Sequence, residues 1–236
     1  MTKISVTSQG STLAGNLFFA SQPKPLAFLF IQGWQGHQNV VAAQNLANLG
    51  FSSMTYDMHG NGESEGDLGD FSRAEFLDDA ANMYDYFKQQ LPQGTKIGVI
   101  GSSFGSYTGV LLAAERAVHC LSLRVPATYP DDGFAKPQLP QINAAGLVEW
   151  RKKPLDHHQN KAFQVLHDFG GEVLIIESSE DTVVPQQACQ NYANAVADPT
   201  KLQYHVMHGA PHSLINDEQH REYGRILTDW ATAFNV

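Results

Sequence analysis

Apolar and polar residues alternate from Lys3 to Phe19 around Gln9-Gly10-Ser11, a period of two that predicts an antiparallel hairpin at a sheet edge. The pattern then changes. Pro25 to Ile31 is almost continuously apolar, which predicts a strand covered on both faces. A helix is expected over residues 38–49, stopped by Gly50, and a further strand from Phe51 to Tyr56. Ser72 has Glu75 three positions on, a capping box, and Phe76, Ala80, Met83, Tyr84 and Phe87 then recur at helical spacing up to Pro92. Lys96 to Ile100 predicts another buried strand and Ser106 to Arg116 a helix. Strands at His119–Val125, Glu172–Ser178 and Leu202–Met207 follow, with helices over residues 186–197 and 217–234.

This alternation implies an α/β fold: a mostly parallel, twisted sheet of about eight strands with helices on both faces. Ligands of such sheets gather at the carboxyl ends of the strands. Residues 126–171 break the rhythm, carrying Pro126, Pro130, Pro137, Pro140 and Pro154 with weak periodicity. They are expected to form a short cap-like insertion in a single domain spanning residues 1–236, and to supply the substrate pocket.

Composition narrows the class. With 42% hydrophobic and 17% charged residues the chain is neither disordered nor fibrous. A net charge of −9 argues against nucleic acid or an anionic membrane surface as a partner. No apolar run approaches the ~18 residues of a membrane span. The segment Met1-Thr2-Lys3-Ile4-Ser5-Val6 turns polar at once, unlike a signal peptide, so a cytoplasmic location is expected. Cys120 and Cys189 are too few for a disulfide framework and are read as buried free thiols.

Candidate chemistry begins at Gly101-Ser102-Ser103-Phe104-Gly105, between the strand at 96–100 and the helix after it. Glycines at 101 and 105 remove Cβ atoms that would collide where a strand reverses into a helix, so Ser103 can sit in a strained conformation with its hydroxyl raised. A serine hydroxyl needs a base, and the base needs a third group to orient it. Both occur later, at strand ends. Asp181 lies in Ser179-Glu180-Asp181-Thr182-Val183-Val184-Pro185 and is preferred to Glu180 because its spacing from Pro185 places it on the turn. His212, one of 10 histidines, lies in His208-Gly209-Ala210-Pro211-His212-Ser213 past the last strand. The oxyanion would be held by the backbone N–H groups of Phe104, just after the serine, and Trp34, where Gly33 lets the chain turn. The Trp34 ring is expected to form a pocket wall.

The set Gly101-x-Ser103-x-Gly105, Asp181 and His212 resembles the α/β-hydrolase superfamily, in which the triad follows the chain order Ser, Asp, His. Within it, Gln32-Gly33-Trp34-Gln35-Gly36-His37 and Tyr56-Asp57-Met58-His59-Gly60-Asn61-Gly62-Glu63-Ser64 most resemble the small-capped cinnamoyl or feruloyl esterases. Gln32 stands where those enzymes usually carry histidine. The resemblance implies that Asp57 and the Gly60–Gly62 loop support the strand ends and do no chemistry. It also implies a serine carboxylesterase acting on a small-molecule ester or other acyl substrate. A thioester, a short peptide amide, or a non-catalytic binding role on the same fold are the alternatives. No cofactor and no metal is expected. The adjacent His157-His158, read as extended and facing opposite ways, are not taken as ligands, and Arg151-Lys152-Lys153 is taken as solvated surface.

Overall fold

The hairpin forms where the alternation predicts it, as β1 (Thr2–Ser8) and β2 (Ser11–Phe18), joined through Gln9 and Gly10 at positive φ. Two central residues at positive φ match the strand twist of a tight hairpin. The computed structural model describes residues 1–234 of the chain. The parallel part follows as β3 (Leu26–Ile31), α1 (Val40–Asn48), β4 (Ser53–Tyr56), α2 (Arg73–Gln90), β5 (Lys96–Ser102), α3 (Phe104–Leu112) and β6 (Val118–Arg124). The chain continues through α4 (Gln138–Ile142), α5 (Leu147–Arg151), α6 (Lys161–Asp168), β7 (Glu172–Ser178), α7 (Gln186–Ala195), β8 (Leu202–Met207) and α8 (Asp217–Thr232). Ser72 caps α2 with the full reciprocal box to Glu75, worth about 1 kcal/mol.

The sheet has eight strands in the order β1-β2-β4-β3-β5-β6-β7-β8, antiparallel at β1, β2 and β4 and parallel elsewhere. From β3 the chain runs outward to β4, then returns to the other side as β5. The strand order therefore reverses between β3 and β5, the place where α/β sheets leave a crevice at their carboxyl ends. The loops carrying Gly33 and Ser103 both start there.

Alternate residues of each strand feed two cores. Ala27, Leu29, Ile31, Val99, Leu121 and Leu123 pack beneath α2 and α3, whereas Phe28, Ile100, Leu174 and Ile176 meet α1 and α8. Phe28 lies 5.5 Å from Phe51 and 6.0 Å from Trp230, ring centre to centre. Each such side chain contributes about 1.5–3 kcal/mol through burial.

Residues 126–171 are less uniform than their prolines imply. Residues up to Asn160 form α4, α5 and short 3-10 turns, but α6 is a helix of the body that buries Ala162, Phe163 and Leu166 beside α3 and α7. Its eight residues are too short a stretch to stand out beside the prolines before it. Arg151 also departs from expectation: it is only 4% exposed, its Nε donates to Thr128 O, Nη1 donates to Val183 O, and its guanidinium lies over Tyr129. Buried Arg73 of α2 does likewise, donating to Pro130 O and to the Tyr107 hydroxyl. These two cations fasten the irregular segment through backbone carbonyls rather than through acids. No helix among the described residues is long and apolar enough to cross a membrane.

Candidate active site

β5 reverses into α3 at one residue. Ser103 has φ 52° and ψ −113°, a strained conformation for a residue with a Cβ. The residues two positions away on either side, Gly101 and Gly105, permit the turn because they lack a Cβ. A Cβ on Gly101 would lie 2.5 Å from Gly105 O, and one on Gly105 would lie 2.1 Å from Ile31 O. The turn is held from β6: Ser103 N–H donates to Arg124 O at 2.8 Å, and Ala127 N–H donates to Ser103 O. Val125, directly after Arg124, also has positive φ at 40°. Strain in two adjacent loops of one crevice is characteristic of functional sites.

The three side chains singled out from the sequence come together. His212 Nε2 is 3.1 Å from Ser103 Oγ, and His212 Nδ1 is 2.6 Å from Asp181 Oδ2. The other oxygen of Asp181 accepts from the N–H groups of Val183 and Val184, both at 2.8 Å. Those bonds fix the carboxylate, whose side chain is 2% exposed against 21% for His212. With Nδ1–H donating to Asp181, Nε2 faces the hydroxyl as an acceptor. Glu180 and His208 are exposed and stand outside this chain of contacts.

Phe104 is the first residue of α3, so its N–H has no intrahelical partner. The Trp34 loop lies against the same serine: a Cβ on Gly33 would be 3.3 Å from Ser103 Cβ. Gly36 N–H donates to Gly33 O, closing the turn that carries Trp34. The indole meets Phe76 and Phe104 edge to face, at 5.7 Å from each, and lines the cavity beside Ser103.

Arg124 was not singled out from the sequence. Its guanidinium donates to His212 O at 2.7 Å and, at longer range, to Pro211 O and the hydroxyls of Ser178 and Ser102. One buried side chain on β6 thus ties the histidine loop to the ends of β7 and β5. Burial lowers its pKa from the ordinary arginine value, with Tyr223 and Asp181 opposing. Only its partners in space mark it, and they come from three distant parts of the chain.

A cavity of about 1180 Å³ opens on Ser103 and His212. It lies on the α1 and α8 face of the sheet, over Phe30 and Ile100. None of residues 126–171 lines it, contrary to the expectation that the insertion supplies the pocket. The reason is strand parity. Gln32, Ser102 and Arg124 continue the β3, β5 and β6 faces that carry Phe30, Ile100 and Cys120, so the polar row at the strand ends points toward α1 and α8.

The Asp57 carboxylate accepts from Glu63 N–H, and a Cβ on Gly62 would lie 2.2 Å from it, so it holds the loop after β4. His157 and His158 sit in a 3-10 turn rather than a strand, capped by Asp156, with rings 3.9 Å apart. The donor atoms of Asp156, His157 and His158 fall within 4.8 Å of one another. Asp156 and His158 are exposed, and Asp156 Oδ1 already accepts from His158 N–H.

A family profile described as serine aminopeptidase, S33, matches residues 27–155, a stretch that contains Ser103 and ends before Asp181 and His212. No curated protein sequence matches the chain. Among solved structures, the chain is similar to Est1E from Butyrivibrio proteoclasticus with ferulic acid bound. The TM-score is 0.74 and the identity 18%, over 98% of this chain and 100% of that one. An alpha-beta serine hydrolase homologue from Coxiella burnetii matches with a TM-score of 0.68 at 19% identity, covering 96% of this chain and 95% of the other. Alpha/beta hydrolase domain-containing protein 10 from mouse matches with a TM-score of 0.70 at 17% identity, over 99% of each chain.

Proposed function

Because the chain belongs to the S33 serine aminopeptidase-like family of α/β hydrolases, we propose that it is a serine hydrolase of carboxylic esters working through Ser103, His212 and Asp181. The observation that carries this reading is the unbroken path from Ser103 Oγ to His212 Nε2 at 3.1 Å and from His212 Nδ1 to Asp181 at 2.6 Å.

Ser103 Oγ attacks the ester carbonyl while His212 Nε2 takes its proton. Asp181 holds the ring in the tautomer that leaves Nε2 free and stabilises the imidazolium that forms. The N–H groups of Trp34 and Phe104 receive the oxyanion, Phe104 with the added field of the α3 N-terminus. The tetrahedral adduct collapses, His212 returns the proton to the departing alkoxide, and an acyl-enzyme remains. Water, deprotonated by the same nitrogen, attacks that acyl group and regenerates Ser103 with release of the acid.

The family's description favours a second reading, an aminoacyl amide in place of an ester. An aminopeptidase must hold a cationic N-terminus, yet the cavity beside Ser103 carries one acidic side chain, Asp217, and three arginines. That balance supports the ester. Ser103→Ala is expected to lower turnover of p-nitrophenyl acetate by about three orders of magnitude or more with an unchanged circular-dichroism melt. Wild-type turnover in that variant refutes the assignment, and faster cleavage of aminoacyl amides than of matched esters by the unaltered chain replaces it with the second reading.

A further inference from the structure

The cavity beside Ser103 does not share the charge of the chain around it. The protein carries a net charge of −9, yet Arg124, Arg221 and Arg225 line the cavity against Asp217 alone. Arg221 and Arg225 are four residues apart on α8, so they project from one face of that helix. Both are exposed, and neither joins a salt bridge among the described residues. In an acidic protein, two exposed cations without a salt bridge among the described residues, on the wall of the cavity that reaches Ser103, are a selective feature.

A second observation lies at the inner end. Gln32 is 7% exposed, lines the cavity, and has neither its amide N nor its amide O hydrogen bonded. Native proteins rarely leave a buried carboxamide with no partner, and a ligand group accounts for one that borders a reactive serine. Between the two ends the walls include apolar Phe30, Ala42 and Ile100. Along α8, the eight steps from Asp217 to Arg225 span about 12 Å. The cavity wall therefore combines an unpaired carboxamide, an apolar stretch and exposed arginines.

We propose, taking Ser103 as the nucleophile, that the cavity between α1 and α8 selects esters bearing a free carboxylate on one arm. Gln32 completes hydrogen bonds near the reacting carbonyl, the apolar wall takes the intervening methylenes, and Arg221 and Arg225 meet the carboxylate. Arginine suits the task because its planar donors match a carboxylate in pairs.

The test uses the full chain with Ser103→Ala, so that binding is read without turnover. Calorimetry compares monomethyl adipate with dimethyl adipate, placing the acid on the acyl arm. It also compares the acetate ester of 6-hydroxyhexanoic acid with that of its methyl ester, placing the acid on the alcohol arm. The acid member of one pair is expected to bind at least about fivefold more tightly than its neutral partner. About 0.5 M salt should erase that preference. Adding Arg221→Gln and Arg225→Gln, both exposed and outside the triad's hydrogen bonds, should abolish it and leave the neutral ester unaffected. Equal affinity within both pairs, or a preference that survives the double substitution, overturns the proposal. Labelling of Ser103 in the unaltered chain by a fluorophosphonate reports the nucleophile separately. Loss of labelling with the carboxylate preference intact strikes the hydrolase reading alone.

Discussion

The fold holds two histidine–aspartate pairs of nearly equal length in opposite surroundings. His212 and Asp181 meet at 2.6 Å on loops past β8 and β7, and His59 and Asp79 meet at 2.5 Å between the loop after β4 and helix α2. The first ring keeps 21% of its side chain exposed and turns its second nitrogen to Ser103. The second pair is wholly buried, its ring stacked on Phe71 at 4.2 Å, and His59 Nε2 has no partner among the described residues. Ser8 and Gln9 of the hairpin add hydrogen bonds to the same Asp79 carboxylate. An aspartate can orient an imidazole equally well in either place. What decides chemistry is whether the far nitrogen reaches a nucleophile and the cavity, and what decides stability is how many elements share the carboxylate.

The contrast breaks if either pair can do the other's work. His212→Ala is expected to lower kcat/KM for a short ester by about 10⁴-fold while the urea midpoint barely moves. A variant that instead unfolds, with its remaining folded fraction fully active, would reverse the assignment of the two pairs. His59→Ala removes one partner from a fully buried carboxylate. The expected loss is about 3–5 kcal/mol of stability, read by urea unfolding, with the folded fraction still labelled by a fluorophosphonate at Ser103.

Arg124 sharpens the comparison, because it gives the His212–Asp181 pair the bracing that the hairpin gives the other. Arg124→Met should lower kcat about 10- to 100-fold with KM little changed, and Arg124→Lys should recover part of the loss. An unaltered kcat in the methionine variant would show that the histidine loop holds its place without the guanidinium. The smallest effect concerns the thiols. Cys120 and Cys189 are buried, and burial pushes both thiols well above the usual range. Neither should react with a thiol reagent in the native protein, and both should react in urea.

Much of this was legible in the order of residues because it rests on local pattern. β7 and β8 keep the bounds expected of them, and Ser72 with Glu75 announces α2 to the residue. The start of α3 was not, since the expectation of a helix from Ser106 missed that the elbow reverses within Ser103 itself and leaves Phe104 as the first helical residue. Asp181 and His212 could be found because the roles proposed for them demand strand-end loops in a known order. Arg124 and the His59–Asp79 pair carry no such mark, since their partners are brought near only by tertiary packing. His157 and His158 were misread as extended although Asp156 and Gln159 frame them as a capped turn, which places both rings on the same side. The pocket was sought in the irregular segment, while strand parity directs the polar ends of β3, β5 and β6 to the opposite face.

Gly105 packs so close to β3 that even a methyl group would strike the Ile31 carbonyl. The height of the Ser103 hydroxyl is thus dictated by a neighbouring strand, and evolution or an engineer has almost no freedom to tune it. The freedom lies instead on α1 and α8, where exposed positions such as Val41 and Arg225 border the cavity and bear no such constraint. Lineages descended from this scaffold should diversify in what they accept by exchanging helix-surface residues while the elbow stays frozen.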